Sequence, residues 1–148
     1  MNNLVDTTRH MFDCFDRGDI AGILECCSPD IEWEYGVNST DVPWYQPQRG
    51  IEGVKRFLAN VENTVFNTFE RTAYLADGNI VVVLMNADYT IKANDRRVVY
   101  TDGILLFRYD DAGRLARFAH RVDTHQAWLA YHGNTPDRTS SKGSAGMM

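Results

Sequence analysis

The sequence predicts an α+β domain in which helices pack against a curved antiparallel sheet around a cavity. Three observations predict it. Apolar residues spaced three and four apart dominate the first part of the chain, alternation with a period of two dominates the second, and short Asp, Asn and Gly clusters divide that second part into consecutive strands. A chain of 148 residues matches one ordinary domain, able to bury roughly 68–70% of its unfolded surface without a covalent or metal staple.

Leu4, Val5, Thr8, Met11, Phe12 and Phe15 form one stripe, so a first amphipathic helix runs to about Arg17 and Gly18. Asp19 caps a short second helix that turns Ile20, Ile23, Leu24 and Cys27 to the core, and Ser28-Pro29-Asp30 stops it. Residues 31–35 read as a strand with Trp33 and Tyr35 on one face. The segment 36–50 contains Pro43 and Pro47 and reads as a loop whose Trp44 and Tyr45 either cover a cavity or anchor the loop to the surface. Val54, Phe57, Leu58, Val61 and Val65 supply a third helical stripe.

Strands follow at about 69–76, 80–92, 98–109 and 115–122, separated by reversals at Asp77-Gly78-Asn79, Asn94-Asp95 and Asp110-Asp111-Ala112-Gly113. Residues 124–132 form a terminal helical turn with Ala127, Trp128 and Tyr131 folded back onto the domain. From Gly133 onward Gly, Ser, Lys and Pro take over, so the domain is expected to span 1–132 and a flexible tail 133–148.

Composition narrows the function classes. Apolar residues are 44% and charged residues 24%, which is a globular balance. A net charge of -5 repels a phosphate backbone, and no basic arm or stripe offsets it, so nucleic acid is not an expected partner. No apolar run approaches the roughly 20 residues that span a bilayer, and the start is unlike a signal peptide, so no membrane association is expected and the cytoplasm is the expected location. Cys14, Cys26 and Cys27 lack metal-binding spacing, Cys14 sits at an apolar helical position, and adjacent Cys26 and Cys27 diverge on a helix.

Closing the two hairpins of the second half gives a trial register. Pairing Ala93 with Arg96 sets Asp88 opposite Thr101 and Asn86 opposite Gly103; pairing Tyr109 with Arg114 sets Gly103 opposite His120. One face then holds Ile80, Val82, Leu84, Asn86, Asp88, Thr101, Gly103, Leu105, Phe107, Phe118, His120 and Val122. It is mainly apolar and should face the helices. A polar group on such a face needs a partner or a ligand. His120 is therefore the candidate proton-transfer residue, oriented by Asp88 or Asn86 across the gap left by Gly103, with Tyr35 polarising a substrate oxygen. Trp33, Asn86, Phe107, Phe118 and Trp44 are candidate substrate-binding residues. A buried hydrogen-bond network around His120 is the competing structural explanation.

The opposite face holds Tyr89, Tyr100, Asp102, Ile104, Ala119, Arg121 and Asp123. Asp102 pairs with Arg121 and Tyr100 with Asp123 in this register, so these are structural groups or alternative acid/base residues, and the face suits a sheet-mediated dimer. The run from His120 to His125 contains metal-ligand types but alternates its facing, and no metal is expected. There is no Gly-rich phosphate loop, nucleophile elbow or redox cysteine pair.

Four motifs carry a resemblance: Phe15-Asp16-Arg17-Gly18-Asp19-Ile20, Ser28-Pro29-Asp30-Ile31-Glu32-Trp33, Gly50-Ile51-Glu52-Gly53-Val54, and Phe107-Arg108-Tyr109-Asp110-Asp111-Ala112-Gly113-Arg114-Leu115. Over about residues 4–132 the chain resembles the SnoaL-like branch of the NTF2-like superfamily, which includes ketosteroid isomerases and limonene epoxide hydrolases. The resemblance implies a cone-shaped α+β barrel, frequent homodimers, no cofactor, and an apolar cavity for a small hydrophobic molecule. His120 stands where polyketide cyclases and epoxide hydrolases of this group carry an acidic proton-transfer residue. Met11, Tyr35 and Leu105 stand at the three functional positions of ketosteroid isomerases, which disfavours steroid isomerisation. The expected activity is a cofactor-independent isomerase, lyase or cyclase acting on a small cyclic or polyketide-like molecule. The alternatives are a noncatalytic ligand-binding or dimeric scaffold domain and an epoxide-hydrolase-like enzyme.

Overall fold

A computed structural model describes residues 3–37 and 40–133. Of the tail expected from 133 to 148, residues 134–148 lie outside the described residues. Helix α1 (Leu4–Arg17) begins at Asn3, whose side chain accepts from the backbone N–H groups of Val5 and Asp6. It ends at Gly18, where a left-handed φ of 71° lets the backbone turn back to Cys14 and Phe15. Thr8, Met11, Phe12 and Cys14 are its buried face. Asp19 caps α2 (Ile20–Glu25), and α3 (Gly50–Val61) buries Val54, Phe57 and Leu58. A single 3₁₀ turn, Pro43–Tyr45, interrupts the loop before it and buries Trp44 and Tyr45.

One six-stranded sheet carries these helices, in the order β2 (Gln48–Arg49), β1 (Cys27–Trp33), β6 (Leu115–Arg121), β5 (Arg97–Tyr109), β4 (Ile80–Ile91) and β3 (Thr64–Asp77). Neighbours are antiparallel except β1 and β6, which run parallel. Helix α4 (Thr124–Tyr131) follows β6, capped by Asp123, and buries Ala127 and Ala130. Trp128 on it is exposed rather than folded back as expected, whereas Tyr131 packs edge-on against Trp44.

The facing of β4 differs from the sequence expectation. Val81, Val83, Met85, Ala87, Tyr89 and Ile91 are buried, and Ile80, Val82, Leu84, Asn86 and Asp88 alternate on the outer side. Of two local departures from the trial register, the second accounts for it. The hairpin closes with Ile91 opposite Arg96, a loop two residues longer than the Ala93–Arg96 closure, which preserves parity. The register then shifts between Met85–Gly103 and Ala87–Tyr100, so Thr101 and Asp102 are consecutive exposed residues in β5. This is a β-bulge, with Asp102 at φ 53°, and it reverses facing on one side relative to the other. Tyr100 and Gly103 both look inward, and Tyr89 and Tyr100 belong to the interior. Between β5 and β6 the pairing is Leu105 with His120 and Ile104 with Arg121. That is two residues from the trial register, so His120 keeps its expected inward facing while the Asp102–Arg121 pair does not form across the ladder.

Candidate active site

Between the concave face of the sheet, α1 and α3 lies a cavity of about 100 Å³. Its wall is aromatic and aliphatic, with Phe12, Trp33, Phe57, Phe69, Phe107 and Phe118 among the largest contributors. The hydroxyl and imidazole groups on that wall belong to Tyr45, Thr64, Tyr89, Tyr100 and His120. Thr64 spends its hydroxyl on the backbone of Val61, where α3 ends.

His120 reaches the cavity because β6 alternates, burying Phe118 and pointing Ala119 the other way. Its ring is held by Phe118, Tyr45 and Phe57, with centroids 4.8, 5.1 and 5.6 Å away. Behind it stands Glu34. The Oε1 of Glu34 accepts from the backbone N–H of His120 at 2.7 Å and lies 2.5 Å from its Nδ1. Glu34 is fully buried and the His120 side chain is 14% exposed. A carboxylate accepts hydrogen bonds, so it selects the imidazole tautomer with the proton on Nδ1 and leaves the Nε2 lone pair for chemistry. Nε2 makes no hydrogen bond among the described residues. The second Glu34 oxygen, Oε2, and the indole Nε1 of Trp33 are buried without a partner among the described residues.

Glu34 is the residue that sequence reasoning missed. Strand alternation over 31–35 sends it away from Trp33, but β1 ends at Trp33 and Glu34 adopts a left-handed φ of 57°. The turn brings Trp33 and Glu34 inward together and releases Tyr35. Gly36, also at positive φ, is the one local hint that the chain leaves the extended conformation here.

A second polar group faces the same space. Tyr45 and Tyr100 are joined through their hydroxyls at 2.8 Å, Tyr100 and Tyr89 at 3.4 Å, and the Trp44 indole N–H donates to the Tyr89 oxygen at 3.0 Å. Burial, and secondarily the neighbouring phenols, push the Tyr45 and Tyr100 hydroxyls well above their ordinary range, and burial raises that of Tyr89 against the lowering effect of its hydrogen bonds. They are neutral donors at neutral pH.

The other residues singled out in the sequence lie elsewhere. Asp88, expected to orient His120, is on the outer face and pairs with Arg97. Asn86 is on that face too, donating to Glu70 and accepting from the Asp102 backbone N–H in the bulge. Tyr35 accepts from Arg108 Nε at 2.9 Å and lies beneath the guanidinium groups of Arg117 and Arg121, away from the cavity wall. Asp102 and Arg121 are exposed, Arg121 bonding the Tyr35 carbonyl, and Asp123 caps α4. The gap expected beside Gly103 is taken by Met85 and Val122. Trp33, Trp44, Phe107 and Phe118 do line the cavity. Among the described residues no three His, Cys, Asp or Glu side chains gather into a metal-holding group.

Comparison with known proteins places this arrangement in a family. Residues 8–118 match the SnoaL-like domain. Among solved structures, an NTF2-like protein of unknown function from Burkholderia pseudomallei is 22% identical with a TM-score of 0.72, covering 88% of this chain and 98% of that one. An NTF2-like protein from Burkholderia xenovorans is also 22% identical, with a TM-score of 0.74 and coverage of 90% and 95%. TerC, co-crystallised with polyporic acid, is 23% identical with a TM-score of 0.64 and coverage of 88% and 95%. At these identities the likeness establishes the fold. A search of curated proteins found no significant match.

Proposed function

The chain belongs to the SnoaL-like domain family, whose NTF2-like superfamily serves small-molecule binding and enzymatic roles, and from that premise we propose that it is a cofactor-independent proton-transfer catalyst of the isomerase, lyase or cyclase kind. Its substrate is a small apolar cyclic molecule. The observation that carries this reading is the Glu34–His120 pair, a carboxylate 2.5 Å behind an imidazole whose other nitrogen is left to an apolar cavity. His120 takes a proton from the substrate through Nε2. Glu34 is a positioning residue: it fixes the tautomer and stabilises the imidazolium that forms, and it touches no substrate. Aromatic walls exclude water, which strengthens the charge interactions at the moment of transfer.

The volume limits the ligand. A dry cavity of roughly 150 Å³ accommodates benzene, so a cavity of about 100 Å³ suits a ligand no larger than one small ring.

Deuterium uptake from D₂O into a panel of single-ring ketones and lactones, followed by NMR, tests the reading. The native protein is expected to catalyse exchange at carbon, and His120→Ala to lower that rate by about 10²–10⁴-fold with the fold retained. Binding of the panel without any exchange would instead mark a noncatalytic ligand-binding domain. Homodimer formation is part of the proposal: Val82, Leu84, Ile104 and Leu106 stay half-exposed on the outer sheet face, and sedimentation at micromolar concentration should report a dimer.

A further inference from the structure

Little backbone holds together the strand ends that carry Glu34 and His120. The parallel ladder of β1 and β6 stops at Trp33 opposite Phe118, and Glu34 lies one residue beyond it. His120 is the last residue but one of β6. Past the ladder, the Glu34 backbone N–H donates to the Phe118 carbonyl at 2.7 Å, and the chain then turns through the left-handed conformations of Glu34 and Gly36. A residue with a Cβ keeps such a conformation only where its surroundings hold it there.

Arg121 holds it from the outer side of the sheet. Its Nη2 donates to the Tyr35 carbonyl at 3.0 Å and its Nη1 to the His120 carbonyl at 3.3 Å. One planar guanidinium therefore ties the residue after Glu34 to His120 itself. Among the described residues no other hydrogen bond reaches the backbone of residues 35–37. Gly36 makes room for the contact, since a Cβ there would lie 3.2 Å from Arg121 Nη2. The Tyr35 ring packs against the same guanidinium, 5.3 Å from its centroid. Among the described residues Arg121 has no carboxylate at ion-pair distance, whereas the neighbouring Arg117 is paired with Glu32. The Arg121 donors go to carbonyl oxygens instead, and a rigid fork spans two of them where a single ammonium cannot.

We propose that Arg121 is a positioning residue that clamps the Glu34–His120 hydrogen bond from outside the cavity. The clamp stands on geometry alone; its effect on turnover rests on the proton-transfer role of His120 proposed above. The physical demand is precision. Glu34 Oε1 lies 2.5 Å from Nδ1, and a shift of about 0.5 Å at either strand end takes such a pair out of its productive geometry. Without the clamp the turn relaxes, Nδ1 loses its fixed acceptor, and the proton distributes between the two ring nitrogens.

Nitrogen NMR of the neutral imidazole rings reads that tautomer with no substrate present, and His120→Ala assigns the resonances. Native His120 should carry its proton on Nδ1 alone. Arg121→Ala should shift it toward the mixture of tautomers seen for free histidine. The same variant should lower the rate of deuterium exchange by about fivefold, the worth of one exposed hydrogen bond from a charged group, with ligand affinity within about twofold. Arg117→Ala removes a guanidinium at the same distance from the Tyr35 ring that makes no backbone contact, and should match the native protein in every reading. Arg121→Lys, which keeps the charge and loses the fork, should behave as Arg121→Ala does. Far-UV circular dichroism and toluene binding establish that each variant is folded. Mixed tautomers in the native protein, or an unchanged tautomer in Arg121→Ala, overturn the proposal. So does full restoration by Lys, because a point charge would then suffice. A native protein whose tautomer depends on Arg121, yet which exchanges no hydrogen at carbon, upholds the clamp and overturns the proton-transfer role of His120 instead.

Discussion

Glu34 takes up a backbone conformation that costs a residue with a Cβ roughly 1–2 kcal/mol, and buries its carboxylate completely while doing so. Both costs recur at sites where function requires them, and here they place one oxygen against both the backbone N–H and the Nδ1 of His120. Glu34→Gln keeps the shape and removes the charge that balances the imidazolium. The turnover rate should fall by about tenfold or more, because the loss is felt only when the proton has moved, and ligand affinity should stay within about twofold. A purely structural carboxylate would instead alter affinity and rate together, or neither, so measuring both parameters decides the point. None of this was legible in the sequence, because a strand read by alternation puts Trp33 and Tyr35 together and turns Glu34 to the opposite face. His120 was legible because it interrupts an apolar row, and that signal survives any register error of two residues.

At the level of elements, α1 and α3 followed their stripes, whereas α2 stops at Glu25 with Ile20 exposed and its expected stripe member Cys27 opening β1; the hairpin strands β4, β5 and β6 ended close to their turn residues, since such signals are local. Strand β3 begins earlier than its sequence suggests, at Thr64, because Val65 continues the stripe of α3 and two register shifts against β4 blur any alternation. Asp88 and Asn86 were assigned to the face of His120 through Gly103, and the one-residue bulge at Thr101 and Asp102 breaks that link; no residue type announces such an insertion. The bulged part of β5 also outruns β6, whose ladder with it stops at Ile104–Arg121. A side chain fills the vacancy. Gln126 of α4 accepts from the Val99 backbone N–H at 2.7 Å and donates to its carbonyl at 2.8 Å, standing in for a strand. Gln126→Ala hands both groups to water and should destabilise the protein by about 1 kcal/mol, a fall of roughly 2–4 °C in Tm. Gln126→Glu, which keeps the acceptor and loses the donor, should lie between. Thermal unfolding of the three proteins checks the order, and an unchanged Tm in the Ala variant would show that the amide contributes nothing.

For the whole molecule, the α+β class and the order of helices before sheet came from the change of period along the chain, whereas the parallel contact between β1 and β6 joins segments far apart in sequence and has no local signature. The same distant packing creates the protein's response to alkali. Tyr45, Tyr89, Tyr100 and Tyr109 are buried, and burial holds each phenol above its ordinary value of 10.0. Burial also raises the Cys27 thiol from 9.0 to about 12. Above the ordinary value the unfolded chain loses protons that the folded chain retains, so stability falls as pH rises. The contribution is fully present below about pH 9 and declines from there upward. Each phenol held above its ordinary value withdraws stability from about pH 10 upward, from a total of roughly 5–15 kcal/mol for a domain of this kind. The urea midpoint should hold steady from about pH 7 to about pH 9 and then drop steeply, with tyrosinate absorbance rising only as far-UV circular dichroism is lost. Tyr100→Phe should flatten the decline by about one proton's worth. Phenols that ionise while the native dichroism persists would mean that water reaches the cluster in the folded state, and the dry cavity on which the proton-transfer chemistry depends would be lost with it.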